Sequence, residues 1–402
     1  MAALTIDPIP RFHGGRLLRV TLPLTAVAAL ATGVALALSP RRAWLGYLAA
    51  YTTVAAVAIG GLVLLLIGYA TNARWLSPLR RLQEGIAGVF PALAVLFVPI
   101  AVGLDRIYPW ADPPPDLSEH ARHLLEAKQP WLDPAAFVIR SALYLAVFTV
   151  AAELLRRWSR RRDEAGPDNA DPEVALRRER VFAAAMLPPV ALALTFAAFD
   201  WLMSLQPEWV SSMFPVYFFA GAFSAAIALL AILALQVHAG ISVLLVTRAH
   251  FHAIGRLLLG FVVFWAYTAY FQGFLIQIAD RPAEITFFLV RTADGWDVWL
   301  SATIAARFAI PFLLLLPRHL KFRPRYVAAI GAVVLLGHVL DICWLVLPTA
   351  GTPAAVHWAD VTSLVAVAGA CLAFGTWRLR GAPVAAAGDP FLPAGLRYES
   401  PT

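Results

Sequence analysis

The segment Phe199-Asp200-Trp201-Leu202-Met203-Ser204-Leu205-Gln206-Pro207-Glu208-Trp209 decides how the chain must be read. It holds two carboxylates, two tryptophans and a proline, and runs on through Val210-Ser211-Ser212-Met213-Phe214 to Phe219-Ala220-Gly221 with long apolar segments on both sides. Tryptophan concentrates at the boundary between lipid and water. A spanning helix would not carry Pro207 beside Glu208, and an aqueous loop would not need so much apolar surface. The stretch therefore reads as a short interfacial hairpin between two membrane helices, with Asp200 either capping that hairpin or taking part in chemistry.

Working outward, the composition fits the same class. Of 402 residues, 60% are hydrophobic and only 14% are charged, and the mean hydropathy is +0.71. A soluble chain of this length could not hide that much apolar surface, so the excess must face lipid, and an all-α integral membrane protein is expected. The 32 basic residues include only two lysines, Lys128 and Lys321, and nearly all lie between the apolar runs. They anchor a topology and give no reason to expect nucleic acid. Cys343 and Cys371 both sit in apolar segments without a CxxC pattern and read as small core residues.

Ten apolar runs are long enough to span a bilayer, at 17–38, 43–69, 85–104, 134–155, 181–204, 213–246, 255–279, 297–316, 326–348 and 355–377, forming one polytopic domain over residues 1–402. The sixth is overlong and is expected to tilt or lie partly in the interface. The first follows Arg11, Arg16 and Arg19 and weakly mimics a cleavage site at Ala35-Leu36-Ala37, but it exceeds an ordinary signal-peptide core and reads as a retained helix. The N-terminus, the even-numbered connections and the C-terminus carry 23 of the 32 Lys and Arg, against 7 in the odd-numbered connections. The positive-inside rule then puts both termini in the cytoplasm. Of the two long connections, 105–133 contains Tyr108-Pro109-Trp110 and Pro113-Pro114-Pro115 and reads as an irregular outer cap. The other, 156–180, begins with Arg156, Arg157, Arg160, Arg161 and Arg162 before an acidic middle containing Gly and Pro, and reads as a topology anchor, a headgroup contact or a docking surface.

Ionisable residues inside membrane helices are functional candidates by default. Glu153, four residues before Arg157, reads as half of a surface ion pair, and Arg140 as a side chain that snorkels outward. His238 is either a hydrogen-bonded core histidine or a ligand, while Gln272 and Gln277 suit interhelical hydrogen bonds. The deepest cluster comes late. His338 and Asp341 are three apart in the ninth run, and His357 and Asp360 repeat that spacing in the tenth, next door across a short turn. Arg307 lies level with His338 in the eighth run. Two readings stay open: an ion-paired knot that neutralises Arg307, and a proton-conducting half-channel opening to the outer side. His and carboxylate side chains exchange protons near neutral pH once their surroundings tune them, and an adjacent Arg favours a relay element over a static proton store. The proton-transfer candidates are Asp200, His238, Arg307, His338, Asp341, His357 and Asp360. Paired histidines on facing helices, a cysteine cluster, a Walker motif, GxSxG and HExxH are all missing from the sequence, which points away from bound haem, iron–sulfur clusters, other metals and hydrolysis.

The segment from Phe199 to Trp209, together with His252-Ala253-Ile254-Gly255-Arg256-Leu257-Leu258, Phe264-Trp265-Ala266-Tyr267 and His338-Val339-Leu340-Asp341-Ile342-Cys343-Trp344-Leu345, resembles the NrfD/polysulphide-reductase family of integral membrane subunits. Within that family these segments look most like the F subunit of alternative complex III, a bacterial quinol:cytochrome c or quinol:electron-acceptor oxidoreductase. Lys128-Gln129-Pro130-Trp131-Leu132, Arg140 and Gly388-Asp389-Pro390-Phe391-Leu392-Pro393 fit the same subfamily, and the likeness runs from about residue 75 onward. The chain departs from the family pattern at Phe214-Pro215-Val216-Tyr217, where Gly is expected in place of Pro215, and at Phe251-His252-Ala253, where an acidic residue commonly follows the histidine.

The resemblance implies two four-helix bundles, helices 2–5 and 6–9, plus two peripheral helices, in a bacterial inner membrane. It implies as partners a homologous NrfD-like membrane subunit, an iron–sulfur protein and a multihaem cytochrome c. Haem c and iron–sulfur clusters would then sit on the partners, with no redox cofactor on this chain. The usual label for the subfamily is a quinone-binding subunit, yet no residue set here reads as a quinone site. Three functions follow as expectations: a non-haem subunit, structural and proton-conducting, of a quinol-oxidising respiratory complex and not catalytic by itself; the quinol-oxidising subunit itself; or a secondary transporter, which should show inverted repeats and interrupted helices.

Overall fold

A computed structural model describes residues 9–38, 41–113, 119–165, 172–241, 245–279 and 282–400. Within these residues ten helices are long and apolar enough to cross a membrane: α1 (Gly15–Leu38), α2 (Arg41–Ala70), α3 (Arg74–Val102), α4 (Pro134–Ala165), α5 (Arg177–Leu205), α6 (Phe214–Gly240), α7 (Arg248–Ala279), α8 (Trp296–Leu315), α9 (Pro324–Ala350) and α10 (Trp358–Leu379). No strand occurs among the described residues. The chain is thus an all-helical, multi-pass membrane protein. Residues 114, 115, 166–171 and 242–244, which carry part of the proline run, the acidic middle of the 156–180 connection and the end of the sixth apolar run, lie outside the described residues.

Helix α2 forms the axis of the molecule. Its sequence is apolar on every face and rich in Ala and Gly, so it is buried nearly all round, with α3, α5, α6, α9 and α10 packed on it. Small residues set the spacing. A Cβ on Gly60 would fall 2.3 Å from the Ala222 carbonyl oxygen of α6, so these two backbones touch as small-residue membrane interfaces allow. At the periphery α1 packs mainly on α10 and leaves Val20, Leu24, Val27 and Leu30 exposed, a face suited to lipid.

Several limits differ from those read off the apolar runs. Helix α4 continues ten residues past 155, because Arg156 to Arg162 are good helix formers that need no lipid around them. Helix α3 starts at Arg74 rather than 85, and it is a chain of short helical pieces broken near Pro78, Gly88, Pro91 and Pro99. Helix α6 ends at Gly240, and α10 begins at Trp358, three residues after the expected start. The segment before α1 and the segment after α10 lie side by side. Phe12 and Ala382 are joined by a main-chain hydrogen bond of 2.8 Å, and Val384 donates to the Pro10 carbonyl at 2.9 Å.

Candidate functional site

Helix α8 places Arg307 roughly 16 Å along its axis from Trp296, in the middle of the span. The local backbone widens there into a single π-helical turn, Ala305–Ala309. Pro311 explains much of this, since it has no N–H to offer the Arg307 carbonyl four residues earlier. Such turns recur at functional sites. Glycine makes room for the guanidinium: a Cβ on Gly337 of α9 would lie 2.6 Å from Arg307 Cγ, and one on Gly221 of α6 would lie 2.9 Å from its Nη2.

The Arg307 head then meets three other helices. Its Nη1 lies 3.1 Å from Asp341 Oδ2 and 2.8 Å from His338 Nδ1, both on α9. Its Nη2 donates to Ser224 Oγ of α6 at 3.2 Å, and its charge sits 4.7 Å from the centre of the Trp265 ring of α7. On the other side of the carboxylate, the Tyr217 hydroxyl of α6 donates to Asp341 Oδ1. All of these side chains are buried.

Donor and acceptor roles follow from valence. Guanidinium only donates, so His338 Nδ1 accepts and its Nε2 carries the proton, which points at the Thr53 carbonyl of α2 at 3.2 Å. Both Asp341 oxygens already accept from a donor. Tyr217 is the direct partner of Asp341 able both to give and to take a proton, while Arg307 stands between Asp341 and His338 as a fixed positive charge. The arrangement can hold a carboxylate ionised in a dry interior, and it can pass a proton only between Asp341 and Tyr217 without a change of geometry.

Above this cluster lies Arg291, in the connection between α7 and α8, which was not among the sequence candidates. Its Nη2 donates to the Leu345 carbonyl at 2.7 Å, its Nη1 to the Phe287 carbonyl at 3.0 Å and to Gln206 Oε1, and its charge lies 3.6 Å from the centre of the Phe287 ring. Burial pushes its guanidinium down to about 9, with the nearby Tyr217 pulling the other way. It therefore stays charged at neutral pH without a carboxylate partner among the described residues. Its signal in the sequence was the apolar run Ile285 to Val290 immediately before it.

The remaining candidates go elsewhere. Asp200, wholly buried, accepts from Arg140 Nε at 2.9 Å and Nη2 at 3.0 Å, from the Tyr144 hydroxyl at 2.9 Å and from Trp131 Nε1 at 2.8 Å. It thus locks α5 to α4 and to the 131 turn, and Arg140 turns inward instead of snorkelling. His357 is the N-cap of α10 and not part of its body. Its Nδ1 accepts from Ala359 N while Asp360 Oδ2 accepts from His357 N, a capping box. Asp360 also takes a two-pronged ion pair from Arg42 of α2, at 2.7 Å on each oxygen. This second His/Asp pair sits at a helix end, at the head of α2, and does not join Arg307. His238 is half-buried, with Nδ1 2.6 Å from the Val246 carbonyl. Glu153 pairs with Arg157 at 3.0 Å as its spacing suggested, and also with Arg156 and Arg378.

Two of these groups share a pattern. Arg140 of α4 with Asp200 of α5, and Arg307 of α8 with Asp341 of α9, each join an arginine to an aspartate on the next spanning helix, with a tyrosine as second donor. Among the described residues no group of three His, Cys, Asp or Glu side chains could hold a metal ion. No protein-family model matches the chain, and no curated protein matches it.

Proposed function

We propose that this chain is the non-haem membrane subunit of a quinol-oxidising respiratory complex of the alternative complex III type, and that Asp341 exchanges protons within it. The single observation that carries the proton-transfer reading is the Tyr217–Asp341–Arg307 group. A titratable carboxylate is held in the interior of a membrane protein against a hydroxyl that can relay its proton. His338, hydrogen-bonded towards α2, continues the polar line on the far side of Arg307. A fixed positive charge between two titratable groups is an electrostatic barrier, so transfer beyond Asp341 requires Arg307 to move, and that movement is where coupling to a partner would act.

The motif resemblance supplies the rest of the reading. The helices group as bundles α2–α5 and α6–α9 with α1 and α10 outside them, a grouping supported by the repeated Arg–Asp pair on α4–α5 and α8–α9 and by the packing of α1 on α10. Both termini face the cytoplasm of a bacterium, in its inner membrane. Haem c and iron–sulfur clusters belong to a multihaem cytochrome and an iron–sulfur partner beside a homologous membrane subunit, and this chain is not catalytic by itself.

Asp341→Asn in the native complex tests the reading. The amide keeps the shape and can still hydrogen-bond, but Arg307 loses its counter-ion, so less complex should assemble; in the complex that does assemble, the protons translocated per electron should fall while electron transfer persists. An unchanged proton-to-electron ratio would refute proton transfer through Asp341.

A further inference from the structure

At the end of the molecule where residues 10–12 meet residues 381–384, a groove of about 470 Å³ opens among Arg156 of α4, Trp377 and Arg378 of α10, and Arg380 and Gly381 just beyond it. A second gap of about 10 Å³, room for one water, lies among Arg81, Glu84, Gly85, Gly88, Arg156 and Arg160. Gly85, Gly88 and Gly375 supply no side chains here, so the arginines line the space.

The charges at this site do not balance. Glu84 and Asp163 are taken by Arg81, and Glu153 is shared by Arg156, Arg157 and Arg378. Among the described residues Arg160 has a carbonyl as its hydrogen-bond partner, that of Arg378 at 2.6 Å, and Arg380 is exposed without a polar partner. Arg81, Arg156, Arg160, Arg378 and Arg380 line the groove and the gap, and the three carboxylates paired there, Glu84, Asp163 and Glu153, leave a surplus of two positive charges. Trp377, 62% exposed, forms its outer lip, and Leu372 lies exposed further along α10 on the lipid-crossing part of the helix. A basic recess between membrane helices, with a tryptophan at headgroup level and an apolar wall leading away, has the chemistry of a lipid headgroup site.

We propose that this groove binds an anionic phospholipid of the diphosphatidylglycerol class. Two phosphodiesters match the surplus charge, arginine forks grip phosphate oxygens in pairs, and the acyl chains run along α10 past Trp377. Zwitterionic lipid lacks the net charge to gain from the site.

The test uses the full-length chain purified from its membrane and exchanged into detergent with phosphatidylcholine, with or without diphosphatidylglycerol, and counts retained lipid per chain by native mass spectrometry. The wild type should retain diphosphatidylglycerol in preference to phosphatidylcholine. The double variant Arg160→Gln with Arg380→Gln should bind it roughly 30-fold more weakly, at about fivefold for each arginine near an anionic headgroup. Its thermal midpoint in phosphatidylcholine should stay that of the wild type. Lysine at both positions should restore most of the binding. If the double variant fails to fold, Arg380→Gln alone, which removes no polar contact among the described residues, should still show the fivefold loss. Equal retention by the glutamine variant, or equal retention of the two lipids by the wild type, would overturn the proposal. Inorganic phosphate displacing the lipid at equal concentration would show an anion site with no call on the acyl chains, and would overturn it too.

Discussion

Arg307 and Asp341 meet 3.1 Å apart with both side chains almost wholly removed from solvent, one from a π-helical turn of α8 and the other from the last regular turns of α9. Neither charge could sit there alone. Desolvating an ion costs several kcal/mol, and the partner together with surrounding hydrogen bonds must offset it.

Removing one partner should therefore be worse than removing both. Arg307→Gln leaves Asp341 with Tyr217 alone and should cost about 3–5 kcal/mol, while Arg307→Gln with Asp341→Asn should recover much of that. The check is the thermal unfolding midpoint of the purified chain in detergent. A double variant no more stable than Arg307→Gln would mean that the pair contributes nothing as a pair.

The Asp200 group is expected to behave as a lock between helices. Asp200→Ala strips the acceptor from Arg140, Tyr144 and Trp131 together and should cost about 3–5 kcal/mol. Tyr144→Phe removes one neutral donor and should cost about 1 kcal/mol. If both variants unfold at the same temperature, the lock is not what holds α4 to α5.

Gly337→Ala probes the close approach of α9 to α8. The new methyl would lie 2.6 Å from Arg307 Cγ and 2.9 Å from the Ala306 carbonyl carbon, so one helix must shift, at about 1–3 kcal/mol. Gly33→Ala in α1 meets nothing within 4 Å and should change stability by less than about 0.5 kcal/mol. Equal midpoints for the two variants would show that α8 yields freely at this contact.

Topology reporters give an independent check of orientation. A fusion after Arg162 should read cytoplasmic and one after Pro113 external, because basic connections stay inside. The reverse pattern would invert the side to which Asp341 connects and turn the lipid groove towards the outer leaflet.

The spans could be read from the sequence because a run of about twenty apolar residues has few alternatives to a membrane helix. The site was only partly legible. His338 and Asp341 share a helix face by their spacing alone, and Arg307 was level with them by counting from helix ends. Tyr217 and Ser224 were not visible, since a tyrosine or serine in an apolar run carries no mark of its partner 124 or 83 positions away. Arg291 was hidden because the short helix before it, Pro282–Val290, is too brief to register as a span. The repeat of His and Asp at 357 and 360 was misleading for a physical reason. The same three-residue spacing that puts two groups on one helix face also builds a capping box, and the choice depends on where the helix starts.

The seam between α1 and α10 has a consequence for biosynthesis. Helix α1 emerges from the ribosome long before its main neighbour α10, and Phe12 finds its backbone partners at Gly381 and Ala382. Nine helices must enter the bilayer while the first waits with one flank uncovered. The contact between α1 and α10 cannot form until α10 has been made, so a nascent chain stalled before α10 should remain open along this line and exposed to quality-control proteases.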